Sequence, residues 1–370
     1  AFWSFPNLEL STGRQDAEML AGKFIPAKID LPENIKAEIV FAGRLMSFES
    51  AISLASSYGS AKINASVDEY ENFRGKATIE EFNLGRLLQD TAMFGPVTLT
   101  AETRGHGFDK SSFNARINAD VSRIRLNNYT YHSLHADGNI NERKFEGRVN
   151  LNDENAVFDF NGRVNFDRYR PAFSFLLNVR GADLQKLGFT KDDIRLSLVT
   201  TADLTSDSAR MLNGRVRISN LVIARDEKIY MVDSLLFATI NEPGKLDLNQ
   251  SEALVGVRYS GTVSPSAITS GLTGFINSSF PFSKRIRLKN MTDSSNFTFE
   301  ILLHNHPVIS QVLLPKLKEF EPGIISGSFD SQKNDLKLNA TMKKVVYGAT
   351  EIKDFMLDVN SDLTALNWKV

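Results

Sequence analysis

Five histidines and no cysteine bound the side-chain chemistry open to this chain. His132 and His135 stand three residues apart, and His304 and His306 two apart, so either pair offers two imidazoles to a metal ion. Neither pair comes with a carboxylate motif, and Pro307 follows His306 directly, where it interrupts a strand carrying both rings on one face. Both pairs are therefore expected to be surface or strand-end histidines. Asp192-Asp193, after Gly188-Phe189-Thr190-Lys191, reads as a turn. Glycosidase carboxylates are brought together only by the fold, and nothing in the sequence selects such a pair. Neither a Gly-x-Ser-x-Gly elbow nor a phosphate-cradling Gly-rich loop is present, and Arg104-Gly105-His106-Gly107-Phe108 reads as a hairpin end. No catalytic residue, metal ligand or cofactor is assigned, and an enzyme is not expected.

The elements around these residues form one repeated pattern. Apolar residues alternate with polar ones in Ile35-Ala37-Ile39-Phe41, Val97-Leu99-Ala101, Phe158-Phe160-(Gly162)-Val164-Phe166 and Phe173-Phe175-Leu177-Val179. The same period recurs in Ile194-Leu196-Leu198, Val255-Val257-Tyr259, Phe297-Phe299-Ile301-Leu303, Leu336-Leu338-Ala340-Met342 and Phe355-Leu357-Val359. Period two is the mark of strands with one wet and one dry face. Turn signals such as "SSYGS", "NDENA", "ADGN" and "NEPGK" separate them. Short helices are expected only at about 82–95, 182–188, 264–280 and 306–321.

The 370 residues carry 43 basic and 44 acidic side chains, a balance with no footprint for nucleic acid and no polybasic patch for anionic lipid. Freedom from cysteine suits an oxidising compartment. No run of 18 apolar residues occurs. The opening "AFWSFPNLEL" has neither an initiator Met nor a signal pattern, and the chain reads as a piece of a longer protein.

A triplet returns three times: Phe113-Asn114-Ala115, Leu212-Asn213-Gly214 and Leu338-Asn339-Ala340. Each stands in an alternating strand that leads through a polar turn into a second strand, giving approximate repeat blocks 35–96, 97–193, 194–322 and 323–370. Degenerate repeats of this kind predict one elongated stack of strands; about 25 strands at ~4.8 Å give a sheet on the order of 100 Å long. A sheet that wide must curl, and its dry face then becomes the floor of a groove. The same alternation also fits two sheets packed as a sandwich.

At "ADLQKLGF" (182–189), "LTSDSARMLNGRVRISNLVI" (204–223) and "KIYMVDSLLFATI" (228–240), with weaker echoes in "FNLGRLL" and the triplets, the sequence resembles the AsmA-like superfamily. Within it, the resemblance is to the TamB-type (translocation and assembly module) proteins of Gram-negative bacteria. That resemblance implies an all-β fold with a few short helices, its elongated sheet curled into a taco-like groove with an apolar interior. It also implies a periplasmic protein whose parent is anchored in the inner membrane and reaches toward the outer one. Such proteins are held to move phospholipid between the two membranes, or to support outer-membrane assembly with a barrel partner. The family's N-terminal membrane helix has no counterpart in this sequence, and its C-terminal domain is not placed here.

A lipid bridge needs one cross-section throughout and no chemistry at any point. Stranding a sixteen-carbon chain in water costs on the order of 12 kcal/mol at about 0.8 kcal/mol per methylene, and a continuous dry face removes that barrier. The residues expected to line it are Phe158, Phe160, Val164, Phe166, Phe173, Phe175, Val216, Ile218, Val257, Tyr259, Phe297 and Phe299. Two rivals remain: a scaffold templating an outer-membrane barrel strand by β-augmentation, and a β-solenoid carbohydrate enzyme or adhesin.

The stacked-repeat expectation has a direct solution test. A compact sphere of this length has a radius of gyration of about 21 Å. Small-angle scattering should give a value well above that, about 30 Å or more; a value near the compact figure rules the stack out.

Overall fold

The computed structural model describes residues 2–21, 29–44, 46–109, 112–167, 169–206, 212–242, 245–250, 254–262, 296–330, 332–333, 335–361 and 366–370. The expected helix at 264–280 lies outside them. The fold is 73% strand and 6% helix, which makes it all-β, and its antiparallel sheet is not closed into a barrel. Among the described residues no helix is long and apolar enough to cross a membrane. The chain divides into two compact units, one of Ala1–Asp167 with Phe175–Ser197 and one of Arg168–Ser174 with Leu198–Val370.

The first unit opens with β1 (Trp3–Gly13), the helix α1 (Arg14–Ala21), β2 (Asn34–Arg44), β3 (Ser47–Ser56), β4 (Gly59–Val67) and β5 (Asn72–Asn83). After α2 (Leu84–Leu87) come β6 (Phe94–His106), β7 (Asn114–Leu126), β8 (Tyr129–Asn141), β9 (Lys144–Asn152) and β10 (Ala156–Asn165). Each strand from β1 to β10 pairs antiparallel with the next. β11 (Ala172–Asp183) lies beside β10, where Arg180 meets Asp159 at 3.1 Å.

β12 (Ile194–Thr205) leads into the second unit's β13 (Asn213–Arg225), β14 (Lys228–Glu242), β15 (Lys245–Gln250), β16 (Val255–Gly261) and β17 (Asn296–Leu303). β18 (Leu317–Phe320), β19 (Gly323–Asp330), β20 (Asp335–Tyr347), β21 (Thr350–Ser361) and β22 (Leu366–Lys369) complete it. Pairing runs in order from β13 to β17, passes to β19, and continues through β22, while the short β18 joins β20 beyond the end of β19.

The three sequence triplets fall in three long hairpins, β7–β8, β13–β14 and β20–β21. Their tips carry left-handed residues, Asn127 and Asn128 (φ 48° and 66°), Asp226 (φ 53°) and Gly348 (φ 61°). All three also share a phase slip that interrupts strict alternation. Apolar positions lie three apart instead of two at Val121/Ile124 and Tyr131/Leu134, at Ile218/Leu221 and Val232/Leu235, and at Met342/Val345 and Ile352/Phe355. β5 has the same step at Ile79/Phe82, where the register to β6 shifts by one. At each place a non-glycine residue in the strands concerned turns left-handed: Ser133 (φ 55°), Asn220 (φ 52°), Asp354 (φ 50°) and Glu81 (φ 54°). The turn re-aims the strand so that both halves keep their apolar side chains on one face.

The helices are shorter than the sequence windows. In 82–95 the two ends are taken by strand pairing, Phe82 with Val97 at the start and Phe94 with Leu126 at the finish, which leaves one helical turn capped by Asn83 Oδ1 accepting from the Arg86 N–H at 3.0 Å. A Cβ at Gly85 would collide with the Phe94 carbonyl, so this turn tolerates only glycine. The 182–188 window holds the last two residues of β11 and then a run of turns, with the Lys186 N–H donating to Asp183 Oδ1 at 2.9 Å and Gly188 at φ +79°. In 306–321 a π-helical turn at Ile309–Leu313 stops before Pro315, which has no N–H to continue it, and β18 follows.

The left-handed residues carry a stability prediction. Asn tolerates positive φ, whereas a β-branched residue does not, so Asn220→Val should destabilise by about 1–3 kcal/mol while Asn220→Gly stays close to neutral. Urea denaturation of the two variants measures the difference.

Candidate functional site

Register alone builds a continuous apolar row across the first unit. Leu8, Ile39, Ile52, Ile63, Ala77, Ala101, Ala119, Ala136, Val149 and Phe160 are successive partners on β1 to β10. Two residues along each strand runs a second row: Leu10, Ala37, Leu54, Ala61, Ile79, Leu99, Val121, Leu134, Leu151 and Phe158. Nine spacings of about 4.8 Å make each row about 43 Å long. On the other face, the row between them reads Glu9, Glu38, Ser53, Lys62, Thr78, Thr100, Asp120, His135, Asn150 and Asp159, without one apolar residue.

Burial separates a single sheet layer from a sandwich. Ile52, Ile63, Ala77, Ala101, Ala136, Val149 and Phe160 are all half-buried, not sealed as facing sheets would seal them. At the β8–β10 end the rows run under cover. There Leu187, from the turn after β11, packs with Leu151 and Ala156, and Tyr129, Tyr131 and Phe158 close around them. The floor is partly glycine: Gly138, Gly147 and Gly162 are successive partners, and a Cβ at Gly138 would lie 2.6 Å from the Phe145 ring.

The expected lining residues divide between the units. In the first, Phe158 and Phe160 stand in the rows, Val164 pairs with Phe145, and Phe175 packs on the Phe160 ring at 5.4 Å between centroids. Phe166 lies past the end of β10 and is 66% exposed; its N–H bonds the Arg143 carbonyl, so the strand's alternation has ended before it. Phe173, at the start of β11, falls in the second unit and is half-buried.

In the second unit, Val216 and Ile218 pair with Phe237 and Leu235. Val257 opens an apolar row through Ile301, Ile325, Ala340 and Leu357, and Tyr259 another through Phe299, Gly327, Leu338, Val359 and Trp368. Arg258, Glu300, Ser326, Asn339, Asp358 and Lys369 oppose them on the polar face. Tyr259 and Phe297, however, are 6% and 4% exposed. With Phe299 and Phe329 they form an aromatic cluster, Phe297 lying 5.6 Å from Phe329 and 6.1 Å from Tyr259 between centroids. These two are packed core rather than open lining, and burial pushes the Tyr259 hydroxyl up to about 12.

The histidines do not converge. His132 Nδ1 meets Asp153 at 3.2 Å and His135 Nδ1 meets Asp120 at 2.7 Å, two separate carboxylates. His306 Nδ1 accepts from the Val308 N–H at 3.2 Å, and His304 Nε2 is buried without a hydrogen bond. Among the described residues no three His, Asp or Glu side chains form a metal site.

Asp153 is the one fully buried carboxylate of this region, its side chain 0% exposed. Burial pushes its pKa up, but hydrogen bonds from the Tyr129 hydroxyl, the Asn155 and His132 N–H groups and the His132 ring outweigh that and hold it below the ordinary carboxylate value. Burial and the Asp153 charge push Tyr129 the other way, to about 12. The network ties β8 to the β9–β10 turn, directly beside the covered end of the rows.

A hollow of about 830 Å3 in the first unit opens on the polar face and is lined by Arg74, Lys76, Glu102, Arg104 and Arg116 among others. Its lining becomes visible only through register, since these residues come from three separate strands. Comparison with family models, with curated proteins and with solved structures gave no significant match.

The depressed Asp153 pKa predicts an acid transition. Its contribution is complete above the unfolded value near ~3.9 and is lost as pH falls through the lower folded value. The thermal midpoint of the wild type should therefore drop more steeply below about pH 4 than that of Asp153→Asn, which should be the less stable of the two at pH 7. Parallel melting curves below that pH would show the mechanism is absent.

Proposed function

We propose that this chain is a non-enzymatic lipid-binding segment of the cell envelope, of the AsmA-like, TamB type, carrying phospholipid acyl chains along its apolar sheet face. The parent protein would act in the periplasm, anchored in the inner membrane, and pass lipid toward the outer one. One observation carries this reading: two apolar rows run without a polar interruption across β1 to β10, most of their larger side chains half-buried, while the row behind them is wholly polar. Contiguous apolar surface of this extent on a protein marks a binding site. An alkyl chain lying along a row replaces water at every strand and needs no catalytic group, which fits a face of Ile, Leu, Val, Ala and Phe.

A second reading, a scaffold that templates a barrel strand, is favoured by β1. It pairs among the described residues only with β2, and its Trp3, Phe5, Leu8 and Leu10 are all exposed.

The test places a charge at the middle of the lipid path. Ala101 is half-buried in the row and Thr100 is its neighbour on the polar face. Phospholipid measured by mass spectrometry in organic extracts of protein purified without detergent should fall several-fold in Ala101→Asp and stay unchanged in Thr100→Asp, with both variants folded by circular dichroism. No phospholipid in the wild type, or equal amounts in all three proteins, would discard the acyl-chain reading.

A further inference from the structure

The polar face of the first unit carries a charge arrangement that acyl-chain binding on the opposite face does not use. Arg74 of β5, Arg104 of β6 and Arg116 of β7 are direct register partners, three guanidinium groups on adjacent strands. Like charges placed directly opposite one another weaken a sheet. The neighbouring groups neutralise only part of this set. Lys76 pairs with Glu102 at 2.8 Å, and Arg116 pairs with Asp137 at 2.9 Å. The Arg74 and Arg104 side chains make no ion pair or hydrogen bond among the described residues. Glu49, the remaining carboxylate of the lining, is separated from Arg74 by the intervening Ser66, two strand spacings or about 10 Å away.

All three arginines face the 830 Å3 hollow, which is large enough for a phosphate-bearing group. We propose that this hollow binds a phosphate-class anion, held by Arg74 and Arg104 with Arg116 at its side. Guanidinium groups match phosphate oxygens in bidentate geometry, and an anion between Arg74 and Arg104 offsets the repulsion between their like charges. The proposal is independent of the lipid path, because these residues and the apolar rows occupy opposite faces of the same strands. The phosphate could belong to a lipid headgroup or to a soluble phosphate compound, and the two differ in whether a membrane surface is needed.

The whole chain and Arg74→Gln/Arg104→Gln are compared in sulfate-free buffer. Inorganic pyrophosphate should raise the thermal midpoint of the wild type, relative to chloride at equal ionic strength. The double variant should start at or above the wild-type midpoint without ligand and show no rise. In a second arm, both proteins are co-sedimented with vesicles of phosphatidylcholine containing phosphatidylglycerol, and with pure phosphatidylcholine. A pyrophosphate response alone assigns a soluble ligand. Binding to the anionic vesicles, lost at least tenfold in the double variant and absent with pure phosphatidylcholine, assigns a headgroup. No response to either probe, or equal responses in wild type and variant, overturns the site.

Discussion

In an antiparallel sheet, a slip of one residue anywhere moves a whole strand's side chains to the opposite face. Everything else in this protein depends on that slip being avoided from one strand to the next. The row from Leu8 to Phe160 stays apolar, and the row from Glu9 to Asp159 stays polar, only because nine consecutive registers agree. Strict alternation does not hold along the strands themselves. Where it breaks, as at Ile79/Phe82 and Ile218/Leu221, Glu81 and Asn220 enter the left-handed region, so the backbone absorbs the odd residue. Each such residue is strained by a small amount, and in return an entire half-strand keeps its facing.

That facing leaves the two sides with different means of support. Among the described residues the apolar side of the first unit has no second layer of the kind a sandwich would give it, and its side chains lean on one another laterally. Phe41 stacks on Phe48 at 5.3 Å, Phe73 on Phe113 at 5.9 Å, and the Phe145 ring lies over Gly138. Small residues like Ala61 and Ala119 are buried along this side while Ile52 and Ile63 stay half exposed, which keeps the strip accessible to an apolar ligand. The polar side is held by cross-strand ion pairs such as Lys76 with Glu102 and Arg258 with Glu300, and these exposed pairs contribute little each. The covered end at Leu151, Ala156 and Leu187 is different, because there the buried Asp153 network locks a turn beside true core.

The second unit shows that one pattern serves two environments. Val257 stands in a half-buried row much like those of the first unit, whereas Tyr259 and Phe297, two strand positions and one strand away, disappear into an aromatic cluster with Phe329. A charge at Phe297 would therefore test the core, while one at Ala101 tests an open face.

What the sequence determined by itself is the part that each strand decides locally. Alternation in Phe158-Phe160 or Val255-Val257-Tyr259 needs only the two-residue repeat of an extended backbone, so the all-β class and the identity of the dry side were legible from composition and spacing. The repeated Asn-containing strands, recurring as the β7–β8, β13–β14 and β20–β21 hairpins, were legible for the same reason. Tertiary structure decided what depends on partners distant in the chain. Strand pairing at both ends of 82–95, and Pro315 within 306–321, shortened helices that the apolar spacing had favoured. Phe166 kept the alternation but fell outside its strand, and Phe297 kept it but was buried by rings from β16 and β19. Arg74, Arg104 and Arg116 are 30 and 12 residues apart and look unrelated in the sequence; only register sets them side by side, because charge repulsion acts through space and not along the chain.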